Sequence, residues 1–358
     1  MHHRLRVGAL LAGPVALLAL GASAQAAGPP TVVADHLNNP RGLTFGPGGS
    51  LYIAQAGRSG NLCVSKGECG GFTGAIAKLS PTGVRTRRAA GLLSVGAQDG
   101  TFVTGADDVA VDARRRVFTV VTSLGAKPPK GVPAAALRQA GRVIRVTARG
   151  RLVPGAAVDR IEFRKDPDGQ GKDSDPYGIA VRGGKRYVTD AAGNDLLEVS
   201  RGKVKVVAVF PDAAKGAQSV PTVVRTGPDH ALYVGELSGD KAPNGASRVW
   251  RVVPGHKPTV FARGFSRITG LAFGPDGSLY VTEFSLNFAK QDPAGDVVKV
   301  AKDGTRTRIG TGSLFFPAGV AVARNGSVYV SNWSVLPGKA ATKGPFKGHN
   351  GQIVRFAP

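Results

Sequence analysis

The chain has 358 residues, 42% of them hydrophobic, with 51 Gly and 24 Pro. That is enough apolar material for a large core and too much for a disordered chain, while the Gly and Pro counts predict many turns and few long helices. The formal net charge of +23 favours anionic partners, but Lys and Arg are spread along the chain. No basic motif with interleaved aromatics is present, so specific nucleic-acid binding is not expected.

In chain order, His2, His3, Arg4 and Arg6 precede an apolar run at 7–20, followed by Ala22-Ser23-Ala24 and Ala24-Gln25-Ala26. A basic start, an apolar run too short to span a bilayer and small-residue cleavage sites predict a secretory signal over 1–27. The mature chain, 28–358, is expected to be a single domain, secreted, not transmembrane and monomeric. Residues 31–34 read as a strand with no partner nearby.

A phrase then begins that the chain repeats six times. Its clearest copy is Ile268-Thr269-Gly270-Leu271-Ala272-Phe273, a turn at Gly274-Pro275-Asp276-Gly277, and Leu279-Tyr280-Val281-Thr282-Glu283. Apolar runs rich in β-formers around turn chemistry predict two antiparallel strands, a and b. The aromatic of strand b recurs at 52, 118, 187, 233, 280 and 329. Each pair is followed by an alternating strand c, such as Arg248-Val249-Trp250-Arg251-Val252, and, across a short turn, by a strand d. Only residues 133–139 carry a helical signal.

This spacing predicts an all-β fold, a six-bladed β-propeller of four-stranded antiparallel blades. The sixth unit supplies a, b and c and then stops at Pro358. The orphan N-terminal strand is therefore expected to be its missing d, closing the ring.

Up-and-down blades place the a–b and c–d turns on one face and the b–c and d–a connections on the other. The first set is uniformly short; the second contains every long segment: residues 57–74, 93–106, 123–141, 156–176, 238–246, 285–295 and 333–351. Insertions on one face of a repeat array mark a binding face. Polar residues fall where strands a begin and strands b end on that face: Asn39, Arg41, Gln55, Asp107, Asp108, Asp175, Tyr177, Asp190, Asn194, Thr222, Glu236, Glu283 and Asn332. They are the candidate ligand-binding set at the mouth of the central channel. Among them Asp108, Asp190, Glu236 and Glu283 offer the oxygens a Ca²⁺ ion would need. Residues 166–173 alternate acids with glycine, loosely like a calcium loop, without the bidentate Glu of an EF-hand. Cys63 and Cys69 are the only cysteines. In an oxidising compartment they read as a disulfide contributing about 2 kcal/mol, the alternative being half of a metal site.

Catalytic motifs are absent: there is no G-x-S-x-G, H-E-x-x-H or phosphate loop. Two functions follow. One is a secreted module that binds a ligand, such as an anionic cell-surface polymer or polysaccharide, through the loop-rich face. The other is a metal-dependent hydrolase or lyase built on the channel-mouth acids, with Ca²⁺ as cofactor.

The phrases Pro40-Arg41-Gly42-Leu43, Asp175-Pro176-Tyr177-Gly178, Asp190-Ala191-Ala192-Gly193-Asn194, Val220-Pro221-Thr222 and Tyr233-Val234-Gly235-Glu236-Leu237 run across essentially the whole mature chain. In that order they resemble the ScyD/ScyE family of secreted bacterial propeller proteins, which implies the fold without implying an activity. More broadly the chain is similar to NHL-type and gluconolactonase-like six-bladed propellers. Those lactonases place metal ligands just before the Gly of several strands a. Here these positions read Arg41, Asp107, Tyr177, Thr222, Thr269 and Ala318, of which only Asp107 suits that role.

Overall fold

Each repeated phrase forms the inner antiparallel pair of a blade in the computed structural model, which describes residues 28–65 and 67–358. The expected signal segment lies outside the described residues. Blade 1 is built from Pro40–Phe45, Leu51–Gln55, Glu68–Leu79 and Arg85–Ala97; blade 2 from Ala106–Val111, Val117–Val121, Arg142–Val146 and Leu152–Ala157. Blade 3 comprises Pro176–Arg182, Lys185–Asp190, Asp195–Ser200 and Lys203–Val209, and blade 4 Pro221–Thr226, Leu232–Glu236, Ser247–Val252 and Thr259–Phe265. Blade 5 follows with Ile268–Phe273, Leu279–Glu283, Ala294–Val300 and Arg306–Phe315. Blade 6 takes Val320–Val322, Val328–Asn332 and Gly351–Phe356 from the C-terminal end, and the N-terminal Thr31–Leu37 as its outer strand. The ring closes as the strand count predicts.

Every inner strand packs on the inner strand of the next blade, and the last packs on the first. Six apolar clusters lie between successive blades. Between blades 4 and 5, for example, Tyr233, Val249 and Phe265 meet Leu271, Leu279 and Val281. Each fully buried Val, Leu or Phe contributes about 1.5–3 kcal/mol, so the interfaces rather than isolated blades carry the stability. The glycine of the repeated phrase is required by this packing. A Cβ at Gly319 would sit 2.4 Å from the Arg41 carbonyl oxygen, and one at Gly270 2.4 Å from that of Ala318.

Connections of the short-turn face never exceed residues 253–258 in length, whereas 122–141, 158–175 and 333–350 all emerge on the opposite face. The sequence reading is corrected at residues 57–74, expected as a loop. They form a β-hairpin, with Leu62–Ser65 paired to the extended start of Glu68–Leu79 and Cys63 opposite Cys69. Those cysteines form the disulfide, which settles their alternative reading. Among the described residues two helical segments occur besides the expected turn at Ala134–Leu137 (α1): the six-residue Arg160–Lys165 (α2) and a 3₁₀ turn, Phe288–Lys290. On the loop face over blades 5 and 6, Trp333 stacks between Phe315 and His349 and packs near Phe316, Phe284 and Phe346. This cluster anchors the long insertion that follows Trp333. No helix among the described residues is long and apolar enough to cross a membrane.

Candidate functional site at the channel mouth

Five of the thirteen candidate residues come together. Arg41 from blade 1, Asp107 and Asp108 from blade 2, and Asp175 and Tyr177 from blade 3 lie within electrostatic reach of one another where three inner strands begin. Arg41 donates from Nη2 to the Val103 carbonyl (2.7 Å), and its Nε lies 3.4 Å from Asp107 Oδ1. Asp107 accepts from the Gly105 N–H through Oδ2. Burial pushes its carboxyl above the usual range; Arg41 and the Gly105 N–H oppose this, and Asp108 adds to it. Asp175 is half-buried and accepts the Thr122 hydroxyl (2.9 Å). Burial and the neighbouring Asp107 and Asp190 charges push it up to about 7. Tyr177, also half-buried, is pushed up mainly by burial, with Arg41 opposing and Asp107 and Asp175 reinforcing. A cation, a phenol and a carboxyl, Asp175, that holds its proton near neutrality suit a polar ligand that both donates and accepts hydrogen bonds.

Asp108 is taken up by the ring itself. Its carboxylate receives both Nη atoms of Arg225, from blade 4, at 2.7 and 3.0 Å, and the Ile179 N–H of blade 3 at 2.9 Å. Arg225 also reaches the Leu43 carbonyl of blade 1 (3.4 Å). One side chain thus links three blades around the channel.

The other half of the mouth is quiet. Thr222 and Thr269 donate their hydroxyls to the Ile268 and Pro317 carbonyls of the following blade, and Ala318 has no polar side chain. The ends of strands b do not converge as the sequence suggests; most clasp their own blade. Gln55 accepts the Asn38 N–H, Asp190 the Asp175 N–H (2.7 Å), Glu283 the Ser266 N–H and Asn332 the Phe315 N–H. Glu236 is held by Arg248 and the Trp250 indole N–H, and Glu283 also by Arg308, which bridges to Asp296. Asn39 and Asn194 take positive φ and tie loops: Asn39 donates to the Gly57 and Gly100 carbonyls, and Asn194 to Asp168 while accepting from Val220.

The residues proposed from the sequence to hold Ca²⁺, Asp108, Asp190, Glu236 and Glu283, are therefore dispersed, each with donors of its own. The mouth does not fit a resident metal either: the Arg41 guanidinium flanks Asp107, the one acid among the positions before the strand-a glycines, and Arg225 occupies Asp108. Among the described residues, the acids that gather with metal-ligand spacing are Glu162, Asp166 and Asp168, in the connection from blade 2 to blade 3. Beside them Asp195 is pushed well above the usual carboxylate range by burial and by Asp190, Glu162 and Asp168. Sequence reasoning missed Arg225, Glu162 and Asp195. It also missed Arg248 and Arg308, although Arg248 beside Trp250 on strand c, next to a strand ending in Glu236, offered a charge-pair signal.

Asp175 gives a pH prediction. Its folded-state pKa lies above the unfolded value near 4, so the folded state binds the extra proton between about pH 4 and the folded value of about 7. Stability from this group is therefore present at low pH and lost as pH rises through 7. Asp175→Asn keeps an acceptor for Thr122 and removes the titration. The variant is expected to melt higher than wild type at pH 8 and to lose that advantage by pH 5. A wild type and variant with parallel melting-temperature profiles over that range would refute it.

No family model matches the chain, and no curated protein matches it in sequence. Solved structures do match. A gluconolactonase from Xanthomonas campestris superposes with TM-score 0.53 at 11% identity, over 93% of this chain and 91% of that one. A regucalcin, a calcium-binding protein from Agrobacterium tumefaciens, gives 0.51 at 14% identity over 92% and 93%. The PQQ-bound aldose sugar dehydrogenase of Streptomyces coelicolor gives 0.53 at 13% over 91% and 96%. These likenesses establish the six-bladed propeller fold; at such identities they do not carry an activity across.

Proposed function

We propose that the mature chain is a secreted propeller of the ScyD/ScyE type that binds an anionic polymer, such as an acidic cell-surface polysaccharide, through its loop-rich face. The observation that carries the reading is the one-sided placement of every long connection, while the opposite face keeps only short turns. The disulfide Cys63–Cys69 fits an extracellular protein. The ligand class follows from the charge. An open groove of about 710 Å³ runs along the rim between blades 2 and 3 up to α2, and Arg142, Arg160, Arg164 and Lys165 line it. Arg160, Arg164 and Lys165 are exposed and free to meet anionic groups. The test is binding of the purified mature protein to polygalacturonate, with dextran as neutral control. Binding is expected to weaken steeply with salt and to fall at least about tenfold in Arg160→Gln/Arg164→Gln, two charge contacts being worth that much at moderate ionic strength. Equal retention on both polymers, or an unaffected double variant, would sink the proposal.

A second reading keeps the enzyme. Asp175, pushed up to about 7 beside Tyr177 and Asp107, is poised for acid–base work in a hydrolase or lyase. Because the donor set at the mouth does not suit a metal, this reading assigns the chemistry to the side chains themselves. Turnover of a polysaccharide that Asp175→Asn abolishes, with binding retained, would select it.

A further inference from the structure

Several buried acids among the described residues are paired with cations. Glu236 pairs with Arg248, Glu283 with Arg308, Asp108 with Arg225 and Glu198 with Lys185. The loop face of blade 3 departs from that pattern. Glu162, midway along α2, is fully buried, and neither of its carboxylate oxygens meets a hydrogen-bond donor. Asp195, the first residue of strand c in blade 3, is likewise fully buried with both oxygens unsatisfied. It faces Glu162, Asp168 and Asp190. Among the described residues no Lys or Arg forms an ion pair with any of these acids, in a chain that carries 47 of them. Leaving a buried charge without a partner costs several kcal/mol. Two such groups side by side call for a cation.

The surrounding chain is shaped to hold one. Asp166 ends α2 in the left-handed region (φ 46°), its N–H bonded back to the Glu162 carbonyl, and this swings the chain so that Asp168 returns towards the helix. One ligand oxygen each from Glu162, Asp166 and Asp168 lies within 4.8 Å of the others. That matches oxygens sharing one ion at 2.3–2.6 Å. The loop is fixed without consuming these groups: Gly171 N–H donates to Asp166 Oδ1, and Gln170 N–H and Asn194 Nδ2 donate to separate oxygens of Asp168. Carboxylate oxygens carry further lone pairs. Gly193 lines the cluster, and a Cβ there would stand 2.8 Å from Glu162 Oε2. Asp190, satisfied by Ser174 and the N–H groups of Asp175 and Gly193, flanks the site and adds negative potential.

We propose that Glu162, Asp166 and Asp168 bind a Ca²⁺ ion beside the b–c turn of blade 3, with Asp195 and Asp190 adding negative charge next to it. An all-oxygen set without His or Cys selects a hard cation. Donors gathered irregularly from a helix and the loop that leaves it suit the variable geometry of Ca²⁺ better than the strict octahedron of Mg²⁺. The site is distinct from the channel mouth, and its test does not depend on any polymer ligand.

The experiment uses mature protein stripped with EDTA and desalted, titrated calorimetrically with CaCl₂ alone and with MgCl₂ alone, and melted with and without each ion. One Ca²⁺ per chain is expected, with a melting temperature several degrees higher and weaker Mg²⁺ binding. Asp168→Asn, on the half-buried loop, keeps the acceptor for Asn194 and should weaken Ca²⁺ binding about tenfold or more, as ligand charge sets affinity. Asp195→Asn, which removes a flanking charge rather than a ligand, should weaken binding less and raise the melting temperature of the calcium-free protein, because it relieves an unpaired buried carboxyl. No heat and no shift at millimolar Ca²⁺, equal affinity for Mg²⁺, or wild-type binding in Asp168→Asn would each overturn the assignment.

Discussion

Removing residues 28–37 is expected to abolish the cooperative folding of the entire ring, not of blade 6 alone. The strand Thr31–Leu37 pairs with Gly351–Phe356, Thr31 opposite Arg355 and Leu37 opposite Gly351. Its buried residues, Ala34 and Leu37, share a cluster with Leu43, Leu51 and Ile53 of blade 1 and Ile353 of blade 6. The same segment leads into blade 1, while the His36 N–H is held by Asn350 and the Gly338 N–H by Asn38. Truncation therefore strips a strand from the C-terminal blade, exposes Gly351–Phe356 as an open edge and unties the first blade from the last. The loss is of the order of a domain's whole stability, about 5–15 kcal/mol. Circular dichroism and calorimetry of the truncated protein should show no cooperative melt. A permuted chain carrying residues 28–37 after Pro358 on a short linker should recover one. A truncated protein that melts cooperatively within a few degrees of the intact one would disprove closure as the source of stability.

Much of this architecture is legible in the sequence because local rules and the global fold agree. Strand a, a short turn and strand b recur with an aromatic in register, and counting strands leaves only one place for Thr31–Leu37. What was not legible depends on contacts between distant residues. Arg225 sits near the end of a strand, as do other basic residues on the rim, yet it crosses to Asp108, 117 positions away. Alternation cannot report which charged residue turns into a channel. The hairpin at 57–74 was hidden by its glycines, which read as loop and in fact let chains approach closely: a Cβ at Gly60 would lie 2.4 Å from the Gly70 carbonyl oxygen. Helix α2 has no apolar stripe, since the side chain it buries is Glu162. The acids ending strands b are taken up by cross-strand partners, Glu236 by Arg248 and Glu283 by Arg308, which alternation alone does not reveal. The glycine-spaced acids at 166–173, the weaker of the two calcium readings from the sequence, lie where the carboxylates do gather.

Asp108→Ala should be among the most damaging single substitutions in the ring, costing about 3–5 kcal/mol, the range for breaking one side of a buried ion pair. The cost exceeds a lost contact. Asp108 is 2% exposed and satisfies the Val109 and Ile179 N–H groups as well as Arg225. Alanine leaves those two donors without an acceptor and the guanidinium without its counter-charge, held only by the Val224 and Leu43 carbonyls. Asp108→Asn keeps one acceptor oxygen and should lose less. Replacing both partners, Asp108→Ala with Arg225→Met, removes the stranded charge, so it should recover part of the loss rather than add to it. Denaturant unfolding of the two single variants and the double variant provides the cycle. A double variant no more stable than Asp108→Ala would mean that Arg225 finds other anions or water, and that the pair does not tie blades 1, 2 and 4 together. Recovery would show that the centre of the propeller is closed by an ionic link, which leaves the strip between Arg41 and Tyr177 as the open polar part of the mouth.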